Sequence, residues 1–491
     1  MEISPTEWGQ GFGREALGLL MRFAFDEVNL RRLSLTVFAY NTRAIRLYEG
    51  MGFVREGTFR EFLVRDGQPH DMLLYGLLER EWRAARHGAV VDLPSVWHRE
   101  APVPVARWGD GPGPTRVDLA IVGGGLMAAW LAYHASAQAA GRWAITVLSD
   151  RPLAHGAPGR NAGFVLGGTS ELYATLVGQL GRPVARELLA LSQSNRQHVR
   201  TVLGPDGERA EYRETGSLYL GAPDEGETLA NTVRWLVEDG VAAESWMPGR
   251  VPSSLRSLGL PHAAFFPEDG AVQPVHLVAK LVRQAGRAGV QWYTGARVTA
   301  WTVQDGAGIR LTVGGDHVWA ERVVLCTNAW LGQLVPALAP VVRPTRGQVL
   351  ATGPVALDYP YPVYADHGYL YWRPRPDGSL VLGGRRQLDP ETEATDALAL
   401  NPRIQDALTA LATRLAGGTV AVTDRWAGIM GFTPDHLPLV GPVAPGLWVA
   451  GGFSGHGVAM TGAVGDLLAQ HLLSAAPLPQ SLNPARFYAP A

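Results

Sequence analysis

The segment Val117-Asp118-Leu119-Ala120-Ile121-Val122-Gly123-Gly124-Gly125-Leu126-Met127-Ala128-Ala129 constrains this chain more than any other. An unbroken apolar run, too short for a buried helix, passes into a glycine turn and then a helical pattern. That is the strand–turn–helix unit whose first glycine permits a tight turn and whose second lets backbone approach a pyrophosphate. Gly123, Gly125 and the small Ala128 fill the three spaced positions, and alanine suffices at the third, where helix and strand pack closely. The same turn also serves plain strand-to-helix connections. Such a unit usually opens its chain, yet here residues 1–116 come first.

With 491 residues, two to four domains with buried cores are expected. A net charge of −2 gives none of the basic surplus expected of a nucleic-acid partner. No apolar run reaches the ~20 residues that cross a bilayer, and no signal peptide precedes the first motif. The single cysteine, Cys326, leaves no disulfide framework or thiolate metal site, so no metal is expected and a reducing cytoplasm is the natural location. Lys280 is the only lysine; it lies in the helical pattern Val275–Ala288 with no partner in view for Schiff-base chemistry.

Residues 1–88 read as a separate α/β unit. Trp8-Gly9-Gln10-Gly11-Phe12-Gly13 opens an amphipathic helix to about Asn29, and Leu33, Leu35 and Val37 alternate along a strand. Asn41 caps a helix through Tyr48, and Phe53–Leu78 suggests a strand pair about Asp66-Gly67. Glycines at a helix start aim backbone N–H groups at an anion, although a simple N-cap does the same. With Ala39–Phe53, reading AYNTRAIRLYEGMGF, the unit resembles the C-terminal half of the GCN5-related N-acetyltransferases. That resemblance implies acetyl-CoA or CoA as ligand, with Gly11 and Gly13 on its pyrophosphate, Asn41 on the cofactor and Tyr48 protonating a leaving thiolate. The family's first three strands and two helices have no counterpart. Either the start lies upstream, or a half-domain has lost catalysis and exposes a strand edge that must be covered.

Residues 89–116, rich in proline and glycine, read as a linker or arm. Beyond it, Val117–Val122 and Ala144–Leu148 form the first two strands of the dinucleotide unit. The second should end on an acidic residue for a ribose hydroxyl; Ser149 stands there, with Asp150 one position later. A second glycine stretch follows, Gly156-Ala157-Pro158-Gly159-Arg160-Asn161-Ala162-Gly163. Val323–Trp330 is a buried strand ending in polar residues, and Leu447–Ala450 runs into Gly451-Gly452-Phe453-Ser454-Gly455-His456-Gly457 and a final helix. The positive end of that helix suits a flat ring that gains negative charge on reduction.

Together these segments resemble the FAD-dependent amine and amino-acid oxidoreductases, the family of D-amino-acid oxidase and sarcosine oxidase, over roughly Ser95–Leu473. RWAGIMGFTPDHLPLVG (Arg425–Gly441) is most similar to the branch that includes gamma-glutamylputrescine oxidase. The resemblance implies non-covalent FAD in a Rossmann-type, glutathione-reductase-like α/β domain (117–170, 267–342, 424–475). A mostly antiparallel substrate domain (171–266, 343–423) interleaves with it. Arg160, Asn161 and Gly163 would lie near the isoalloxazine, Val298 near the adenine, and Gly452, Phe453, Ser454, Gly455 and Gly457 along the flavin edge. The expected reaction is oxidation of an amine or amino acid to an imine by hydride transfer to flavin N5, with oxygen or another acceptor reoxidising it. A tRNA-modifying flavoprotein and a CoA-binding module regulating the flavoenzyme are the competing readings.

On the substrate side, Gly368–Arg373, a turn at Pro376-Asp377-Gly378 and Leu380–Gly384 predict a hairpin. Alternation sets Tyr369, Tyr371 and Arg373 on one face, as an aromatic cage for an amine or equally as core with a wet edge. Arg346 is a further pocket candidate. His155 and His456, in the glycine loops, are candidate bases or attachment points. Relatives that oxidise glycine clamp its carboxylate with arginines; this chain reads Ile429-Met430-Gly431 and Phe453-Ser454-Gly455 at those positions, which disfavours glycine. Arg373 or Arg385 remain candidates for a clamp from another direction.

Overall fold

The computed structural model describes residues 12–28, 30–79, 81–82, 93–101, 103–204, 207, 210–304 and 308–487. The chain divides into two compact units, Met1–Val90 and Val91–Ala491.

In the first unit a helix, Phe12–Arg22, continues as a π-helical turn through Glu27. Three antiparallel strands follow in spatial order Arg32–Phe38, Gln68–Leu78, Val54–Arg65. Asp66 and Gly67, both with positive φ, make the two-residue turn that the twist of a hairpin prefers. Asn41 caps the helix Thr42–Glu49 by accepting a hydrogen bond from the Ala44 amide at 3.1 Å. Tyr48 packs edge-on against Phe53 beside the unit's small core. Phe59, Phe62, Leu63 and Val64 are exposed on the outer strand. Gly11 lies outside the described residues, and Gly13 sits in the first turn of the first helix.

The second unit is built on a mostly parallel sheet. Arg116–Val122 lies between Asp316–Leu325 and Ile145–Leu148, and Gln291–Thr294 and Ala106–Arg107 extend the sheet in parallel. Val298–Gln304, Gly308–Val313 and Asp316–Leu325 form an antiparallel meander at the other side, where Leu447–Gly451 also joins. Arg116–Val122 is apolar almost throughout because layers cover both its faces. Helices Leu126–Ala139, Pro274–Arg287 and Gly457–Ser474 supply one layer.

The other sheet runs Val422–Phe432, Arg343–Pro354, Ser379–Gly384, Leu370–Pro374, Val363–Ala365, Ser217–Gly221, His262–Phe266, Glu244–Ser245. Two expectations change here. Val422–Phe432, assigned by sequence mainly to the FAD-binding segments, pairs with Arg343–Pro354 along its length and so belongs to this sheet. Residues 171–266 are largely helical, with Tyr173–Leu180, Arg182–Leu203 and Gly226–Glu238. Among the described residues no helix is long and apolar enough to cross a membrane.

The 89–116 segment also departs from a plain linker. Val96–Glu100 is helical, and Val96 and Trp97 are buried in the main core. Apolar burial outweighs the local proline and glycine signal: a fully buried tryptophan contributes several kcal/mol that a solvated arm would forgo.

One buried histidine sets an acid limit. His134 stacks on Trp130, with His198 and Asp466 around its ring. Burial, helped by the nearby His198, pushes it down to about 4. Unfolded histidine takes up a proton near pH 6.5, so this site costs nothing at neutral pH and destabilises the fold as pH falls from about 6.5 to 4, by up to ~1.4 kcal/mol per pH unit. His134→Gln should flatten that slope in urea titrations between pH 7 and 4.

Candidate active site

The glycine turn is shaped by contact with the neighbouring strand. Gly123 has φ +128°, and a Cβ there would come within 2.7 Å of the Cys326 carbonyl oxygen. The Cys326 amide donates to the Val122 carbonyl at 2.7 Å, so the two strands close at this point. Gly125 ends the turn as N-cap of Leu126–Ala139, and a Cβ on it would meet only the Pro158 side chain at 3.5 Å. No side chain caps this helix and no acidic residue lies in its first turn. Its N-terminal amides therefore have no side-chain cap, an arrangement suited to phosphate. Ala128 is fully buried against the sheet.

The second strand ends at Leu148 in register with Val122. Ser149 takes the terminal position and donates to the Arg151 carbonyl at 2.7 Å, whereas Asp150 is exposed. The unshifted register thus leaves the serine, not the aspartate, at the strand end. Ser149's own carbonyl accepts from the Ala296 amide, two residues before Val298, at the start of the meander.

Arg160 is buried to 3% exposure, and its guanidinium donates to the carbonyls of His155, Leu93 and Ala427 at 2.8–2.9 Å. Asn161 donates to the Ala157 and Pro158 carbonyls and accepts from the Gly163 amide at 2.6 Å. The arm grips the same loop: Trp97 donates to the Asn161 carbonyl, Ser95 to that of Gly159, and His98 contacts that of Ala154. Sequence reading missed Ser95, Trp97 and His98 as supports, because nothing local marks a contact about 60 positions away.

At the other end, Asn328, itself at φ +48°, accepts from the Gly452 and Phe453 amides. Gly452 fits against the Thr433 methyl, Phe453 and Ser454 are buried, and Gly455 is exposed. The loop delivers the chain to His456, N-cap of the helix beginning at Gly457, which has neither a side-chain cap nor an acidic residue in its first turn. Burial pushes His456 down to about 4, and its Nδ1 has no hydrogen-bond partner. Thr327 Oγ1 and Thr461 Oγ1 are likewise buried without partners. Uncapped helix starts, open glycines and orphaned polar atoms along one sheet edge fit the phosphates and polar ring edge of FAD. Cys326 is buried and its thiol is pushed up by that burial, which does not suit a covalent link.

The antiparallel sheet presents two faces, as the alternation implies. Leu370 and Trp372 pack under the helix Pro402–Ala416, whereas Tyr371 turns toward the main core. Tyr364 pairs across the strands with Tyr371, their ring centroids 5.9 Å apart. Phe164 stands edge-on to both, and His456 stacks on Tyr364 at 5.9 Å. Burial raises both phenols, Tyr371 to about 12, so the cluster is uncharged at neutral pH. Tyr364 escaped sequence analysis because its three-residue strand has no period of its own. Tyr369 lies just before the strand, under the Arg386 guanidinium.

Two arginine expectations are overturned. Arg346 is fully buried, bonded to Glu393 at 2.8 and 3.1 Å and to the Thr392 and Ala397 carbonyls. Gln348 and Asn401 also bond Glu393, closing a structural network rather than lining a pocket. Arg373 is buried, paired with Glu211 and stacked on Trp97 at 5.0 Å. Arg385, at φ +62°, faces Asp366 at 3.5 Å.

Residues 118–471 match the family of FAD dependent oxidoreductases, and residues 1–53 match the acetyltransferase (GNAT) family. The chain belongs to the FAD dependent oxidoreductase family, and it carries an N-terminal GNAT segment. A probable oxidoreductase, OrdL, of Rhizobium meliloti is 27% identical over 73% of this chain and 83% of its own length. The 4-methylaminobutanoate oxidase (formaldehyde-forming) of Paenarthrobacter nicotinovorans is 25% identical over 74% of this chain, which covers 45% of that protein. In fold, L-proline dehydrogenase from P. horikoshii superposes with a TM-score of 0.64 at 18% identity, over 76% of this chain and 98% of that one. The chain is accordingly an oxidase or dehydrogenase.

Arg346→Met should lower unfolding free energy by about 3–5 kcal/mol, because Glu393 would remain buried without its cation. The Michaelis constant of the folded fraction should not change; a large rise with unaltered stability would return Arg346 to the pocket.

Proposed function

We propose that the Val91–Ala491 unit oxidises a primary or secondary amine, or an amino acid, to an imine that water then hydrolyses. The observation that carries this reading is the uncharged cluster of Phe164, Tyr364, Tyr371 and His456 at the start of the final helix. Bound FAD supplies the acceptor for the hydride leaving the carbon beside nitrogen. Tyr364 and Tyr371 orient the amine and exclude water, in apolar surroundings that favour its neutral form. His456, neutral above about pH 6, can accept a hydrogen bond or proton at Nδ1. One relative carries the name 4-methylaminobutanoate oxidase, which supports an amine as the substrate class.

For Met1–Val90 we propose CoA binding at the glycine turn and Asn41, with the acetyltransferase match over residues 1–53 as support. Equilibrium dialysis with CoA tests it, and no retention at millimolar CoA would refute it.

Purified protein is expected to show oxidised-flavin absorbance, and anaerobic addition of a correct amine should bleach it. Tyr371→Phe should preserve the flavin spectrum, while Tyr371→Ala should slow bleaching roughly 10- to 100-fold through loss of positioning. A protein that stays colourless with added FAD, or a flavin that no amine or amino acid bleaches, would refute the reading.

A further inference from the structure

Ala154 keeps a backbone shape that alanine seldom adopts. It is fully buried and has φ +61°, in the left-handed region where a residue with a Cβ persists only when its neighbours hold it. Both of its backbone polar groups are held. Its amide donates to the Gly124 carbonyl at 2.8 Å, in the middle of the dinucleotide turn. Its carbonyl lies 3.1 Å from Nε2 of His98, on the short arm helix Val96–Glu100. One residue therefore bridges the arm and the turn.

The tautomer of His98 follows from its partners. Nδ1 is 3.2 Å from the Ser95 amide, which can only donate, so Nδ1 accepts and carries no proton. Nε2 then carries the hydrogen and donates to the Ala154 carbonyl, which can only accept. One edge of the ring caps the arm helix and the other grips Ala154. Gly159 makes the room, since a Cβ there would lie 2.3 Å from both His98 Nε2 and the Ala154 oxygen. His155 flanks the ring, with centroids 5.9 Å apart. The grip carries through to the turn. The Gly124 carbonyl and the Gly125 amide belong to one trans peptide, whose C=O and N–H point opposite ways. Fixing the carbonyl on Ala154 therefore fixes the direction of the Gly125 amide, at the N-cap of Leu126–Ala139. Gly124 has no side chain to lock it, and a Cβ there would meet Ser149 Oγ at 2.3 Å.

We infer that His98 is a positioning residue for FAD: through Ala154 it holds the glycine turn in the form that receives the cofactor's pyrophosphate. This rests on the chain's membership of the FAD dependent oxidoreductase family and not on the choice of substrate. With the clamp cut, the strained loop and the turn relax into other conformations. The apparent affinity for FAD then falls with the fraction that stays competent to bind. The large apolar core carries global stability, so a local opening of this loop leaves it in place.

Two substitutions separate the two edges of the ring. His98→Asn places a polar atom near the Nδ1 position and reaches no further, so it keeps the cap on the Ser95 amide and loses Ala154. His98→Gln reaches the Nε2 position and can still donate to Ala154. The measurement is FAD binding by full-length apoprotein, read from the change in flavin fluorescence, alongside the thermal midpoint of the same apoprotein. His98→Asn should weaken FAD roughly 10-fold or more at an unchanged midpoint, and His98→Gln should recover most of that loss. Wild-type affinity in His98→Asn would overturn the inference. So would an equal loss in both variants, since the bond to Ala154 would then not be the one that matters. A midpoint that falls in step with affinity would also overturn it, by marking a purely structural role. The titration needs no substrate, so it judges His98 whether or not an amine bleaches the flavin.

Discussion

One buried guanidinium joins the pieces of the flavin side. Arg160 donates to carbonyls of the arm, of its own glycine loop and of the antiparallel sheet, while the Trp426 indole donates back to the Arg160 carbonyl at 3.0 Å. Gly428 is part of the same fit, since a Cβ there would lie 2.9 Å from the Arg160 Cβ. Carbonyls at that depth have no water to turn to, so the cation satisfies three strand or loop ends at once. The arm, loop and second sheet thus share one fixed geometry, and the aromatic cage depends on it.

Legibility followed the range of the forces involved. The first parallel strand, the glycine turn and the final helix were readable because each is a local pattern of apolar run, small residue and helical period. The hairpin from Leu370 to Gly384 was readable from alternation and a Pro-Asp-Gly turn. Arg346 was misread because an arginine in a short polar motif looks alike whether it meets substrate or Glu393, 47 positions on. The arm was marked by its composition, which reports local stiffness and not the buried slot that accepts Trp97. Tyr364 is non-local in the same sense, since it gains its place from a cross-strand partner.

Electrostatics along the candidate site are graded. Carboxylates are matched inside the fold by arginines, as at Glu393 and Glu211. The tyrosines and His456 are held neutral by burial.

The arm also bears on how this polypeptide was assembled. Its tryptophan and histidine are part of the loop's support, so the smallest self-sufficient flavoprotein begins upstream of Leu93 and not at the glycine strand. A gene joined at residue 117 would have discarded that clamp. The junction near Val90 keeps it with the redox unit.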